Sequence, residues 1–232
     1  MKKKILICGT SKNLGKFLSK KFKIENEVFE FSSTLKSNQK NIFQTDITNE
    51  ISLKSSLKKL KKTVKKLDAI IYTVGKSSAT DGTLENFKKS FDINFFSFVN
   101  LINSYIHIFG YKKIKIIAIS SIAGVAPIKA PIEYSVSKSA LNFYSKIISK
   151  DLIKRGISIN VISPGNILMK GNIWSKKFKS NKKQVLDYIN NNVPSKKFIN
   201  PREIFNMCKF IISNENVNLI GANIIIDGGQ II

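Results

Sequence analysis

Lys4-Ile5-Leu6-Ile7-Cys8-Gly9-Thr10-Ser11-Lys12-Asn13-Leu14-Gly15 reads as a short apolar strand, a loop of small residues, and the start of a helix. The segment before it, Met1-Lys2-Lys3, is basic. The apolar run that follows is nevertheless too short for a secretion signal and leads straight into the glycine loop. Such a loop lets backbone N–H groups and a helix N-terminus meet a pyrophosphate. Any tight strand-to-helix turn of an α/β protein has the same look, so the rest of the chain must carry the reading.

Outward from this turn the same alternation continues. After the first strand, Lys4–Cys8, β-type runs follow at Glu27–Phe31, Asn41–Gln44, Ala69–Thr73, Ile114–Ile119, Ser158–Ile162 and Asn223–Ile226. Helical stretches lie near Leu14–Phe22, Ile51–Lys65, Leu84–Phe109, Tyr134–Lys154 and Arg202–Ser213. Unbroken apolar strands such as Ile116-Ile117-Ala118-Ile119 fit a sheet covered on both faces. The expected architecture is α/β: a single-domain, doubly wound Rossmann fold over residues 1–232, with seven parallel strands and helices on both faces. Asn166 to Asn192 breaks the rhythm. It is Lys-rich, holds the single Trp, Trp174, and is expected to be an irregular lid over a site at the strand ends.

The chain has 232 residues and ordinary apolar content, which excludes a disordered class. No apolar run reaches the roughly 18 residues of a membrane span. Two cysteines, Cys8 and Cys208, are too few for a disulfide framework, so a cytoplasmic protein is expected. The net charge of +24 admits two readings. One is an anionic partner. The other is an AT-rich codon bias that loads solvated faces such as Lys54–Lys66 with lysine; the basic residues are spread along the chain, and only Arg155 and Arg202 are not Lys. A nucleic-acid role would rest on charge alone, without a groove-reading motif. His107, the single histidine, has no carboxylate or cysteine cluster around it, so no metal site is expected.

Tyr134-Ser135-Val136-Ser137-Lys138 places Tyr134 and Lys138 on one helix face. A phenol of pKa ~10 is a poor base, and a nearby ammonium favours its phenolate and lowers that value. The pair is an acid/base device suited to carbonyl chemistry. Ser121 ends the strand Ile114–Ile119, where ligands of open α/β sheets sit.

In this order the motifs resemble the short-chain dehydrogenase/reductase family over nearly the whole chain. Gly9, Ser11, Lys12, Asn13, Leu14 and Gly15 resemble its glycine loop, and Asp46-Ile47 its adenine-contacting pair. Asn94, Ser121, Tyr134 and Lys138 resemble its catalytic tetrad. Pro164-Gly165-Asn166-Ile167 resembles the turn beside the nicotinamide, and Asp227-Gly228-Gly229 a common closing motif. The resemblance implies that Tyr134 protonates the substrate oxygen, that Ser121 orients it, and that Lys138 holds the cofactor ribose and lowers the Tyr134 pKa. It also implies that Asn94 anchors a water relay. Three departures from the pattern stand out: Asn13 for a glycine, Tyr72-Thr73-Val74 before Gly75 for Asn-Asn-Ala, and Met169 for a threonine.

The implied activity is an NADP(H)-dependent oxidoreductase that moves a hydride between nicotinamide and a carbonyl or alcohol carbon. NADP(H) is expected over NAD(H), because Phe31-Ser32-Ser33-Thr34 has no acid to bind the ribose hydroxyls. Lys12 and Ser33 could hold a 2′-phosphate, and strand alternation should turn Glu30 away. Val193-Pro194-Ser195-Lys196-Lys197-Phe198 resembles the stretch found in 3-oxoacyl-thioester reductases. A sugar or nucleotide-sugar dehydrogenase is the alternative, and a cofactor-binding module without turnover comes third. The small-molecule substrate is expected to be anionic or carrier-linked, held under a lid with Lys170, Lys176, Lys177, Lys179, Lys182 and Lys183 against Asp187 alone. The resemblance further implies a homodimer or homotetramer in which the Tyr134 helix and the Phe95-Phe96-Phe98 helix pair.

Overall fold

The computed structural model describes residues 2–35, 40–77, 82–213 and 218–232; Met1, read above with the basic start, lies outside them. Seven strands form one parallel sheet: β1 (Lys4–Cys8), β2 (Glu27–Ser32), β3 (Ile42–Gln44), β4 (Ala69–Tyr72), β5 (Ile114–Ile119), β6 (Ile157–Pro164) and β7 (Asn223–Ile226). Their order is β3-β2-β1-β4-β5-β6-β7, and every adjacent pair is parallel. The order reverses between β1 and β4, which opens a crevice outside the carboxyl ends of those strands.

Helices α1 (Asn13–Phe22), α2 (Glu50–Thr63), α3 (Leu84–Phe91), α4 (Ser97–Phe109), α5 (Ile132–Leu152), α6 (Ile173–Ser180), α7 (Lys182–Asn192) and α8 (Pro201–Ile212) complete the fold. Strand residues alternate between two buried clusters, as the period of a strand demands. Leu6, Cys8 and Ile70 pack with Leu53, Leu57, Leu101 and Leu141, so α2, α4 and α5 cover one face. Ile5, Ile7 and Ile71 pack with Leu18, Phe22, Ile204 and Cys208, so α1 and α8 cover the other. Both faces are buried, which is why the strands are apolar at consecutive positions.

Helix ends follow their capping residues. Asn49 accepts from Ser52 N at 2.9 Å at the start of α2, and Asn200 with Glu203 forms a capping box on α8. By contrast the N-cap residue of α1, Lys12, makes no side-chain cap bond, so the first N–H groups of this helix have no capping side chain.

Two expectations are corrected. Leu84 to Phe109 is not one helix: a π-helical turn, Asp92–Phe96, separates α3 from α4. Asn166 to Asn192 is not irregular, because it contains α6 and α7. Asn172 caps α6 by accepting from Ser175 N at 2.9 Å, and Asn181 caps α7 by accepting from Gln184 N at 3.0 Å. Those Asn caps are the local signal that the lysine-rich composition obscured.

Candidate active site

The glycine loop joins β1 to α1 in a conformation that its residues make accessible. Gly9 has φ +91°, and a Cβ there would stand 2.8 Å from Thr73 Oγ1. A Cβ on Gly15 would stand 2.2 Å from the Gly9 carbonyl oxygen, so the helix packs against the loop with no room for a side chain. Asn13 adopts φ +48°, the left-handed region that Asn tolerates, so the turn survives the loss of the middle glycine. Thr73 has taken over a local tie: its hydroxyl donates to the Cys8 carbonyl at 2.7 Å, which binds the end of β4 to the loop.

A cleft of about 310 Å³ runs from this loop past the ends of β2 and β3. It is lined by Gly9, Ser11, Lys12, Asn13, Leu14, Gly15, Ser33, Asp46, Ile47 and Gly75. Nearly all the loop and adenine-side residues picked from sequence therefore share one surface. Ser11 Oγ lies 2.7 Å from Ser32 Oγ. Asp46 accepts from Thr48 Oγ1 at 2.7 Å and from Thr48 N at 3.0 Å. Glu30 forms an ion pair with Lys23, directed away from this cleft as strand alternation required. The free N-terminus of α1, the Cβ-less approach at Gly9 and Gly15, and Lys12 with Ser33 near the end of β2 fit a dinucleotide pyrophosphate and a further phosphate.

The second cleft, about 650 Å³, shares Leu14, Thr73 and Gly75 with the first, so the two are continuous. Ser121, Tyr134, Lys138, Pro164, Gly165 and Ile167 line it. Ser121 begins a short 3₁₀ turn, Ile122–Gly124, and its Oγ accepts from Ala123 N at 3.2 Å. Gly124 sets how closely that turn meets α5, since a Cβ there would lie 2.6 Å from the Lys138 carbonyl carbon. No sequence argument singled out Gly124; its position three residues after Ser121 was the available signal.

Tyr134 and Ser121 line the same cleft, with the Ser121 hydroxyl near the Tyr134 phenol. Burial holds the Tyr134 phenol above its ordinary pKa, and the neighbouring Ser121 hydroxyl offsets part of that rise. The expected depression by Lys138 does not set the direction in the protein without cofactor: withdrawal from water does, and the lowering influence comes from Ser121. Lys138 is 2 % exposed. Its Nζ donates to the Ile119 carbonyl at 3.1 Å, and burial pushes its pKa down to about 8.

Asn94 lines neither cleft. It lies fully buried behind Gly75, in the π-helical turn. Its Oδ1 accepts from Lys76 N at 2.8 Å, and its Nδ2 donates toward Lys76 O, Ser90 Oγ and Ser137 Oγ at 3.1, 3.0 and 3.2 Å. Ser90 and Ser137 were not identified from sequence.

The stretch expected to act as a lid, residues 166–192, contributes Asn172, Ile173, Trp174, Lys177, Gln184 and Tyr188 to the lining of the second cleft. Trp174 meets Tyr188 at 5.2 Å and Phe198 at 5.6 Å between ring centroids. Of the six lid lysines, Lys177 alone lines the cleft, and Lys129 joins it from the loop before α5. Met169 is absent from the lining; its carbonyl accepts from Asn172 N at 3.1 Å. His107 is exposed on α4. Among the described residues no group of three His, Cys, Asp or Glu could hold a metal ion.

A family model described as "Enoyl-(Acyl carrier protein) reductase" matches residues 21–230. The chain is a short-chain dehydrogenase/reductase. It is 24 % identical to glucose 1-dehydrogenase 2 of Bacillus subtilis, over 98 % of this chain and 94 % of that one. It is 26 % identical to the 3-oxoacyl-[acyl-carrier-protein] reductase of Buchnera aphidicola, over 97 % and 95 % of the two chains. The L-sorbose reductase of Gluconobacter frateurii, solved with NADPH and L-sorbose, superposes with a TM-score of 0.89 at 21 % identity, covering 99 % of this chain and 97 % of that one. This short-chain dehydrogenase/reductase is accordingly an oxidoreductase, and its relatives act on unlike substrates. No helix among the described residues is long and apolar enough to cross a membrane.

Proposed function

We propose that this oxidoreductase transfers a hydride between NADP(H) and a carbonyl or alcohol carbon, with Tyr134 as the proton donor or acceptor. One observation carries the reading: Tyr134 and Ser121 line one cleft with the buried Lys138, one helical turn from Tyr134, and that cleft is continuous with the glycine-loop cleft.

When bound, the nicotinamide supplies or takes up the hydride at the reacting carbon. Gly9, Ser11, Asn13, Leu14 and Gly15 would hold the pyrophosphate, Asp46 and Ile47 the adenine, and Gly75, Pro164, Gly165 and Ile167 the nicotinamide half. Lys12 and Ser33 would bind the 2′-phosphate. No acid stands at the end of β2, and Glu30 is engaged by Lys23, so no carboxylate of β2 would repel that phosphate; Asp46, in the same cleft, is assigned to the adenine side.

In reduction, Tyr134 gives its proton to the substrate oxygen as that oxygen gains charge. Burial keeps the phenol protonated until then. Ser121 accepts from Ala123 N and so keeps its own proton for the same oxygen. Lys138 would bind the cofactor ribose and place a cation behind Tyr134, and Asn94 would link Lys138 to the proton supply. Oxidation reverses each transfer.

The lid would close the substrate side. Its aromatic wall, Trp174 and Tyr188, together with Ile128, Ile173 and Val185, favours an apolar carbonyl compound over a polyol. A polyol's hydroxyls need paired donors and acceptors, and among the described residues no carboxylate lines this cleft. A 3-oxoacyl thioester suits that wall better than a sugar does. The cytoplasmic assignment rests on Cys8 and Cys208, both buried and unpaired. Assembly as a homodimer or homotetramer rests on an exposed apolar stripe of α5, Ile132, Val136, Phe143 and Ile147.

The test uses ethyl acetoacetate and L-sorbose as probes, with NADPH and NADH. Wild type should favour NADPH and the oxo ester in kcat/KM. Tyr134→Phe should lose activity on the order of 10²–10⁴-fold while NADPH fluorescence titration shows binding largely kept. An active Tyr134→Phe enzyme would sink the mechanism, and a clear NADH preference the cofactor assignment.

A further inference from the structure

Asn94 has more hydrogen-bond partners than an amide needs for burial alone. Its Oδ1 accepts from Lys76 N at 2.8 Å, while its Nδ2 faces three acceptors: the Lys76 carbonyl, Ser90 Oγ and Ser137 Oγ. The two hydroxyls have their own protons directed elsewhere. Ser137 Oγ donates to the Tyr134 carbonyl at 2.8 Å, and Ser90 Oγ donates to the Glu133 carbonyl at 3.1 Å. Toward Asn94 both therefore offer lone pairs. An amide turned by half a revolution would set its oxygen against those lone pairs and its N–H groups against the Lys76 N–H.

That choice of orientation has an electrostatic consequence on the far side. A Cβ at Gly75 would stand 3.0 Å from Lys138 Nζ and 3.3 Å from Asn94 Oδ1, so the ammonium and the amide oxygen border the same small space. In the observed orientation Lys138 shares that space with an acceptor. In the turned orientation it would share it with two donors, unfavourable for a buried cation. The two serines come from different helices, Ser90 from α3 and Ser137 from α5, so they register the π-helical turn against the helix that carries Tyr134 and Lys138.

We propose that Ser90 and Ser137 are positioning residues whose hydroxyl lone pairs fix the Asn94 amide with its oxygen toward Lys138. The inference rests on the reading of Lys138 and Asn94 as parts of the site, and it concerns this chain's own hydrogen-bond network rather than any bound group.

Ser90→Ala/Ser137→Ala, Ser90→Thr and Asn94→Ala are compared with wild type. The first readout is the Lys138 titration in the protein without cofactor, followed by NMR of labelled lysine and assigned with Lys138→Arg. The second is kcat and KM with NADPH and ethyl acetoacetate; circular-dichroism melting establishes that each variant is folded. Removing both hydroxyls should lower the Lys138 midpoint by roughly one pH unit. It should also lower kcat roughly 10-fold while the KM for NADPH stays within about 2-fold. Ser90→Thr, which keeps a hydroxyl, should behave as wild type. In an Asn94→Ala background the serine substitutions should change nothing further, because residues acting through one group are not additive. An unchanged Lys138 midpoint in folded Ser90→Ala/Ser137→Ala protein, or an equal further loss in the Asn94→Ala background, overturns the proposal. Full activity of Asn94→Ala would instead overturn the relay assigned to Asn94, and the lysine titration would still decide the role of the serines.

Discussion

Lys138 is among the largest fully buried side chains of the protein, and it is charged. Its folded pKa of about 8 lies below the ordinary 10.5, and burial is the cause. The unfolded chain therefore holds this proton more tightly than the native one. The resulting penalty is complete below pH 8, shrinks as pH rises, and is gone above the unfolded value. A gap of that size corresponds to about 3 kcal/mol, less about 1 kcal/mol for the bond to the Ile119 carbonyl. Lys138→Met should accordingly be more stable than wild type by roughly 1–3 kcal/mol at pH 7 without cofactor, and should lose that advantage as pH approaches 10.5. It should also be nearly inactive. Denaturant melts at the two pH values are the check. A variant less stable than wild type at pH 7, or one whose advantage persists at high pH, contradicts this account of the buried ammonium.

At the scale of elements, two features of the site depend on how helices meet. The π-helical turn Asp92–Phe96 carries Asn94 and is held from the core side by Tyr72, whose hydroxyl lies 2.5 Å from Ser97 Oγ and 3.3 Å from the Ile93 carbonyl. Tyr72, a departure from the family's pattern, thus braces the turn. Helix α5 has a second face that the monomer leaves uncovered. Ile132, Val136, Phe143 and Ile147 are 60, 43, 66 and 55 % exposed, and their spacing places them in one stripe along the helix. Phe96, at the end of the π-helical turn, is 49 % exposed. A contiguous apolar stripe of this kind marks an interaction surface, and on our reading it is the subunit contact. Phe143→Glu should shift the protein toward monomer in size-exclusion chromatography with light scattering. A wild-type protein that is already monomeric, or a variant that assembles unchanged, removes the stripe from consideration.

Across the whole molecule, 39 basic residues face 15 acidic ones, yet the cations are not gathered at the site. The lysines of residues 166–192 are exposed; of them only Lys177 borders the second cleft, whose lining among the described residues also includes Lys129 and the buried Lys138. The anionic-substrate expectation therefore narrows, apart from Lys138, to Lys129 and Lys177. Focused positive potential raises the encounter rate with anions and fades with salt, as the Debye length falls to ~3 Å at 1 M. Lys129→Ser/Lys177→Ser should lower kcat/KM for acetoacetate by about 3- to 10-fold at low ionic strength and leave neutral ethyl acetoacetate unchanged. High salt should erase the difference. If both substrates respond alike, the two lysines are solvated surface charge and no clamp exists.

The strand-by-strand layout was legible in the sequence because each element carries its own local record. Consecutive apolar residues in Ile114–Ile119 announce burial on both faces, the glycines of Gly9–Gly15 announce a loop that side chains could not enter, and Tyr134 and Lys138 share a helix face by spacing alone. Asn13 could be trusted with a positive φ from its chemistry, and it has one. What only the tertiary structure decided are quantities that depend on neighbours distant in the chain. The two helices of the lid were hidden because lysine-rich, weakly apolar segments carry little periodic signal. The break at Asp92–Phe96 was hidden because a π-helical turn leaves no composition of its own. The sign of the Tyr134 shift depends on how completely the fold removes the phenol from water. That Asn94 is held by Ser90 and Ser137 depends on α3 and α5 meeting at one place, with 43 residues separating Asn94 from Ser137 in sequence. Hydrogen-bond partnership and burial are properties of packing, and packing is not written at any single position.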